Sequence, residues 1–288
     1  MIRKRIFRKI ALGIGITLFS SFLTTIPAQA GEYILFENYE AFGYMSYADR
    51  NPDLKSAFGY NKDALWNHYA SSGCLEGRIA TVDKPSILTV KNFDAARYAT
   101  DNPDVAAAVG TSPKALLHHY KTAGYLEGRR VFSTDRRIQG VLDVCDIAAS
   151  ITNSSMSDRE KVKAVHDWMC LNLSYDNSLK YYSYLDAVNK KTAVCQGYAE
   201  MFDLFMHILG IEDRIATGSA SNGVRSGSHA WNEVEIEGKL YAIDVTWDDT
   251  GEIGIPLRYT YFLISPQQMN IDHTEDDYYW IYKNIYIH

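Results

Sequence analysis

Cys195, His229 and Asp244 are the residues of this 288-residue chain whose types and order could carry nucleophilic catalysis. A thiolate can attack a carbonyl carbon and form an acyl-enzyme. An imidazole can take the thiol proton and hold an ion pair with the thiolate. A carboxylate can fix the ring's orientation and support its charge. A backbone N–H beside the thiol can stabilise the oxyanion.

Each of the three needs an element to position it. After Cys195 come Met201, Phe202, Phe205, Met206 and Leu209, and then Gly210. That spacing predicts a helix with a wide apolar face, stopped by glycine. Cys195 then falls at or near the helix N-terminus, where the dipole and free N–H groups favour an anion. Position alone leaves a buried structural thiol equally open.

His229 to Ile236 alternates, and after Glu237-Gly238 the run Lys239 to Trp247 alternates again. This predicts a β-hairpin. With Glu237-Gly238 as a two-residue turn, Ile236 faces Lys239, Trp231 faces Asp244 and His229 faces Thr246. Val234, Ile236, Tyr241, Ile243 and Val245 then share an apolar face. His229 and Asp244 share the other, as diagonal neighbours within reach of a hydrogen bond.

The order AVCQGYA, SHAWNEV, YAIDVTWDD resembles the transglutaminase-like superfamily, a branch of the papain-like cysteine enzymes. KVKAVHDWMCLNLSYD and YFLISPQQMNIDHT also resemble bacterial members, and the likeness runs roughly from Asp135 to His288. It implies Cys195 as nucleophile, His229 as base and Asp244 as orienting residue. It also implies an α+β fold, with the cysteine helix packed on an antiparallel sheet. Members often supply a second oxyanion donor from a side chain before the cysteine. Tyr175 is the candidate here, with Asn172 and Gln196 weaker. Trp231 and Trp247 flank the triad, as substrate-cleft residues or as packing around a dry site.

Upstream, Ser157-Asp158-Arg159-Glu160 is a capping box, and Val162, Val165, Trp168 and Met169 continue at helical spacing. The polar stretch from Asn177 to Lys191 reads as a surface loop or short helix.

A segment further upstream repeats. Tyr47 to Arg78 and Tyr98 to Arg129 align without gaps, 51 residues apart, with about half the positions identical. Each copy reads as two short helices, with Asn-Pro-Asp as a turn and helix start. His68 and His119 fall on an apolar face, where a packing role outweighs a ligand role. The pattern resembles a short helical repeat of secreted and surface proteins in bacteria, which implies a spacer or adhesion module. The expected division is a leader over 1–30, a helical repeat region over 31–133 and a catalytic domain over 134–288.

The leader carries Arg3, Lys4, Arg5, Arg8 and Lys9, then an apolar run, then Ala28-Gln29-Ala30. This describes a secretory signal peptide; an uncleaved membrane anchor is the alternative. Its removal leaves 24 basic and 35 acidic residues, a formal charge of −11. That charge argues against nucleic acid or an anionic membrane surface as partner. A secreted or cell-surface protein is expected. Its partner is a protein or peptide substrate, with a wall or surface polymer as a possible ligand of the repeats.

The four cysteines, Cys74, Cys145, Cys170 and Cys195, include no C-x-x-C pair. If Cys195 is free, at most one disulfide remains. No cofactor is expected. No metal site is expected either: Asp248, Asp249 and Glu252, and Asp272, Glu275, Asp276 and Asp277, do not match an EF-hand loop. Asp272-His273 lies beyond the triad and reads as structural or solvated.

Two classes of function follow. One is a thiol enzyme acting on amide bonds, resolved by water as a peptidase or amidase, or by a lysine amine as a cross-linking transglutaminase. Hydrolysis is the favoured branch. The other is a non-catalytic binding or scaffold protein, against which an intact triad argues.

Overall fold

The computed structural model describes residues 42–276 except 74, 75, 77, 80, 222, 224, 225 and 252–254. The expected signal peptide, Cys74 and Glu252 lie outside the described residues.

Helices α1 (Tyr44–Arg50), α2 (Pro52–Phe58) and α3 (Lys62–His68) lead into a π-helical turn, Tyr69–Gly73. After the short α4 (Lys84–Ile87), the pattern returns as α5 (Ala95–Asp101), α6 (Pro103–Val109) and α7 (Pro113–His119), with a π-helical turn at Tyr120–Gly124. Each segment therefore holds three short helices, not two. The extra one precedes Asn-Pro-Asp and carries the tyrosine at which each copy begins. Proline opens α2 and α6 because the first helical position needs no N–H donor.

The same hydrogen bonds occur in both segments. Tyr47 Oη lies 3.1 Å from His68 Nδ1, and Tyr98 Oη 3.2 Å from His119 Nδ1. Arg78 pairs with Asp53 at 2.8 Å, and Arg129 with Asp104 at 2.7 Å. A Cβ on Gly73 or Gly124 would overlap those tyrosine hydroxyls, which accounts for a glycine at both places. His68 and His119 thus spend a ring nitrogen on an internal tyrosine.

The C-terminal region is built on α8 (Arg136–Ile151), α9 (Asp158–Asn172) and a central helix, α11 (Cys195–Leu209). The capping box of α9 forms between Ser157 and Glu160. Within the polar stretch, α10 (Tyr184–Lys190) starts at a second capping box, Ser183 with Asp186. A small parallel pair flanks it, β1 (Ser174–Tyr175) with β2 (Thr192–Ala193).

The main sheet is antiparallel, in the order β5-β4-β3-β6, from β3 (Glu212–Ser221), β4 (Ser226–Ile236), β5 (Lys239–Ile243) and β6 (His273–Glu275). Ile236 pairs with Lys239 across Glu237 and Gly238, both at positive φ, the backbone of a two-residue hairpin turn. The pairing ends at Asn232 with Ile243. The strand predicted to run on through Thr246 and Trp247 is instead helix α12 (Val245–Asp248). Asp244 caps it, accepting from the Trp247 N–H at 3.1 Å, and that local bond wins over strand continuation. Thr246 therefore does not pair with His229. Helix α13 (Pro266–Met269) precedes β6.

Helix α11 buries ten consecutive residues, Gly197 to Met206, as a helix enclosed on all sides must. Ala199 meets Ala230 and Ile215 of the sheet, and Asn232 donates to the Ala199 carbonyl at 3.1 Å. This is the expected α+β arrangement of cysteine helix on antiparallel sheet. A Cβ on Gly197 would lie 2.6 Å from Ala193 Cβ and 2.9 Å from the Ser183 carbonyl. Gly197→Ala is therefore expected to push the first turn of α11 outward and cost about 1–3 kcal/mol, read by urea unfolding.

One apolar core takes in Tyr98, Val105, Leu116 and Tyr120 of the second helical segment together with Val141, Leu142, Met169, Phe202 and Phe205. The first segment has a smaller core of Phe42, Tyr47, Ala48, Leu54 and Leu65. Its Arg50 donates to the carbonyls of Gly210 at 3.3 Å and Leu209 at 3.5 Å, at the end of α11. Among the described residues no helix is long and apolar enough to cross a membrane.

Candidate active site

Cys195 is the first residue of α11, and its N-cap Val194 makes no side-chain hydrogen bond. The N–H groups of the first turn thus have no side-chain cap from Val194, and they face the thiol's end of the helix. Cys195 is a free thiol, partly exposed.

His229 lies on β4. Its Nε2 is 2.7 Å from Asp244 Oδ2, and Cys195 is near enough for its thiol to bear on the ring's charge. With Nε2 given to the carboxylate, Nδ1 is the nitrogen left for the thiol. Burial works against charge on this ring. The negative charge and hydrogen bond of Asp244, and the contact with Cys195, outweigh it and raise the pKa to about 10. Asp244 is 1% exposed. Burial disfavours its charge too, but His229 and a second histidine, His273, hold it at about 2. The pair is therefore imidazolium and carboxylate near neutrality.

The other expected residues separate. Trp231 is 2% exposed and packs with Ala216, Ala242 and Met269, so it backs the His229 ring from inside. The two rings stack at 22°, with centroids 6.2 Å apart. Trp247 is partly exposed, with its ring centroid 5.3 Å from that of His229. Tyr175 pairs with Ala193, two residues before Cys195. Burial, then the Cys195 charge, pushes its phenol above the ordinary value. Asn172 donates to the Trp168 carbonyl of its own helix, and Gln196 to Glu200. Of the three oxyanion candidates, those two are turned elsewhere.

Sequence reasoning missed His273. It is buried, not solvated, and its Nε2 lies 3.1 Å from Asp244 Oδ2. Asp248 and Asp249, just after Asp244, face different partners. Asp248 meets His166 Nε2 at 3.3 Å and accepts from the Tyr261 N–H at 3.1 Å; Asp249 accepts from the Tyr198 hydroxyl at 2.5 Å.

Two groups among the described residues gather metal-type ligand atoms: His229, Asp244 and His273, and Asp203, His207 and Asp213. In the first, the three side chains already hydrogen-bond one another through Asp244 Oδ2.

A cysteine at a helix start, near a strand histidine that is hydrogen-bonded to a buried aspartate, is joined by one further finding. Residues 146–245 match the family model of the transglutaminase-like superfamily. The transglutaminase-like span holds Cys195, His229 and Asp244, and it stops before His273. Kyphoscoliosis peptidase of Mus musculus is 26% identical over 155 residues, covering 47% of this chain and 23% of that protein. The Homo sapiens protein of the same name is 25% identical over 155 residues, with the same coverage. This chain thus spans about a quarter of the length of the curated relatives it matches. A TGase crystal structure is 18% identical, covering 48% of this chain and 40% of that one, at a TM-score of 0.34.

Proposed function

We propose that this protein is a thiol-dependent enzyme that hydrolyses amide bonds in peptides or proteins. The observation that carries the reading is one imidazole hydrogen-bonded to the buried Asp244 carboxylate and close enough to Cys195 for the thiol to bear on its charge. His229 takes the thiol proton, and the thiolate adds to the substrate carbonyl. The oxyanion forms beside the first-turn N–H groups of α11, and Tyr175 is the side-chain candidate for a second donor. His229 then protonates the leaving amine, and the C–N bond breaks. Water, deprotonated by the same ring, releases the acyl group and restores the thiol. The likeness to a protein named as a peptidase supports water as the acceptor.

Export through cleavage after Ala30 belongs to the same proposal, as does binding of a surface polymer by the helical segments.

The test uses protein lacking residues 1–30, incubated with casein and a dansylated primary amine, with Cys195→Ala as control. New peptide N-termini from the wild-type protein alone are expected. Dansyl incorporation without new termini would make the acceptor an amine. Neither product from a correctly folded protein would count against the amide-bond reading.

A further inference from the structure

His273 has no exposed side-chain surface and sits on β6, where Ala220 of β3 is its partner. Its Nδ1 lies 2.7 Å from Asp272 Oδ1, and its Nε2 lies 3.1 Å from Asp244 Oδ2. Tyr261 donates to Asp272 Oδ2 at 2.6 Å. The ring is packed by Trp247, centroid to centroid 4.5 Å, and by Trp231 at 5.0 Å. The titratable groups around it are His229, Asp244, Asp272 and Tyr261.

An ionised carboxylate accepts hydrogen bonds and donates none. The same Asp244 oxygen faces both His229 Nε2 and His273 Nε2, so both rings donate to it. At 1% exposure, bulk water cannot replace a lost donor there. A buried carboxylate short of one donor turns toward others, and a ring that depends on it turns as well.

We propose that His273 is a positioning residue, holding Asp244 Oδ2 in line with His229, and that Asp272 in turn holds His273. A hydrogen-bonded chain then runs back from His229 through Asp244, His273 and Asp272 to Tyr261. This rests on the triad reading given under Proposed function.

The test measures the rate of Cys195 alkylation by iodoacetamide at pH 6, with the labelled peptide identified by mass spectrometry. His273→Phe fills the space without a donor, and the rate is expected to fall about tenfold. His273→Gln places an amide N–H near the Nε2 position and should restore the rate to within about threefold of wild type. A space-filling role alone would not distinguish the two variants in that direction. A folded His273→Phe protein labelled at the wild-type rate would overturn the proposal, as would His273→Gln labelled no faster than His273→Phe. Should His273→Phe fail to fold, Asp272→Asn carries the test. A fall of about threefold is expected there, and an unchanged rate overturns the proposal.

Failure of the triad reading looks different. The wild-type thiol would then react no faster than a free cysteine, and His229→Ala would change nothing. A fast thiol slowed by His229→Ala, together with an unaffected His273→Phe, overturns the His273 role alone.

Discussion

Alkylation of Cys195 at pH 6 is expected to slow about thirtyfold when His229 becomes alanine. An ordinary thiol is about 0.3% thiolate at that pH. On the ion-pair reading, a thiol held wholly ionised by an adjacent imidazolium would gain about three hundredfold in reactive species. The lower basicity of a paired thiolate gives back about tenfold of that, which leaves the stated difference. The other described thiols do not obscure the result. Burial pushes Cys145 up to about 12 and drives Cys170 up as well, so both stay protonated and slow. The labelled peptide must contain Cys195, which also separates it from Cys74. Equal rates in the two proteins would remove the ion pair from the mechanism.

The second large effect is expected from Asp244→Ala. That carboxylate receives His229, His273 and the Trp247 N–H, and all three lose their acceptor at once. Leaving the buried His229 imidazolium without its carboxylate costs about 3–5 kcal/mol. The lost helix cap adds about 1 kcal/mol.

The loss should depend on pH in a defined way. Asp244 is depressed from 3.8 to about 2, so its stabilisation is present above 3.8 and fades as pH falls toward 2. His229 is raised from 6.5 to about 10, so its share is whole below 6.5 and fades as pH rises toward 10. The gap between wild type and Asp244→Ala is therefore widest between about pH 4 and 6.5. Thermal melts at pH 2.5, 5.5 and 9.5 read it directly. A gap that is constant across the three would place the energy in packing rather than in the ion pair.

The parts of the site that were legible in the sequence are those governed by local pattern. Ile236 and Lys239 could be paired because the two residues between them suit a tight turn. Cys195 could be placed at a helix start because the apolar spacing begins just after it. Alternation beyond Ile243 misled, because Asp244 bonds its own chain three residues on and turns a strand pattern into a helix.

His273 was illegible for a different reason. Its partner Asp244 is 29 residues away, and the two meet only because β6 adds to the far edge of β3. No local periodicity reports such a pairing. A buried histidine between two aspartates could have been suspected from Asp272-His273 itself, but its second aspartate could not. The helical segments show the converse. Their repetition is plain from identity between the copies, while the extra helix in each precedes the Asn-Pro-Asp turn signal.

The apolar core shared by Tyr98, Leu116 and Tyr120 with Phe202 and Phe205 has a consequence for how a ligand would be presented. A recognition module on a flexible tether sweeps a volume and raises the local concentration of whatever it holds. A segment that shares buried side chains with the helix bearing Cys195 cannot sweep. Were the second helical segment to bind a ligand, as proposed, that ligand would be carried at a set distance and angle from Cys195. Such a device would select targets by the spacing between two features and be indifferent to how many of either are nearby.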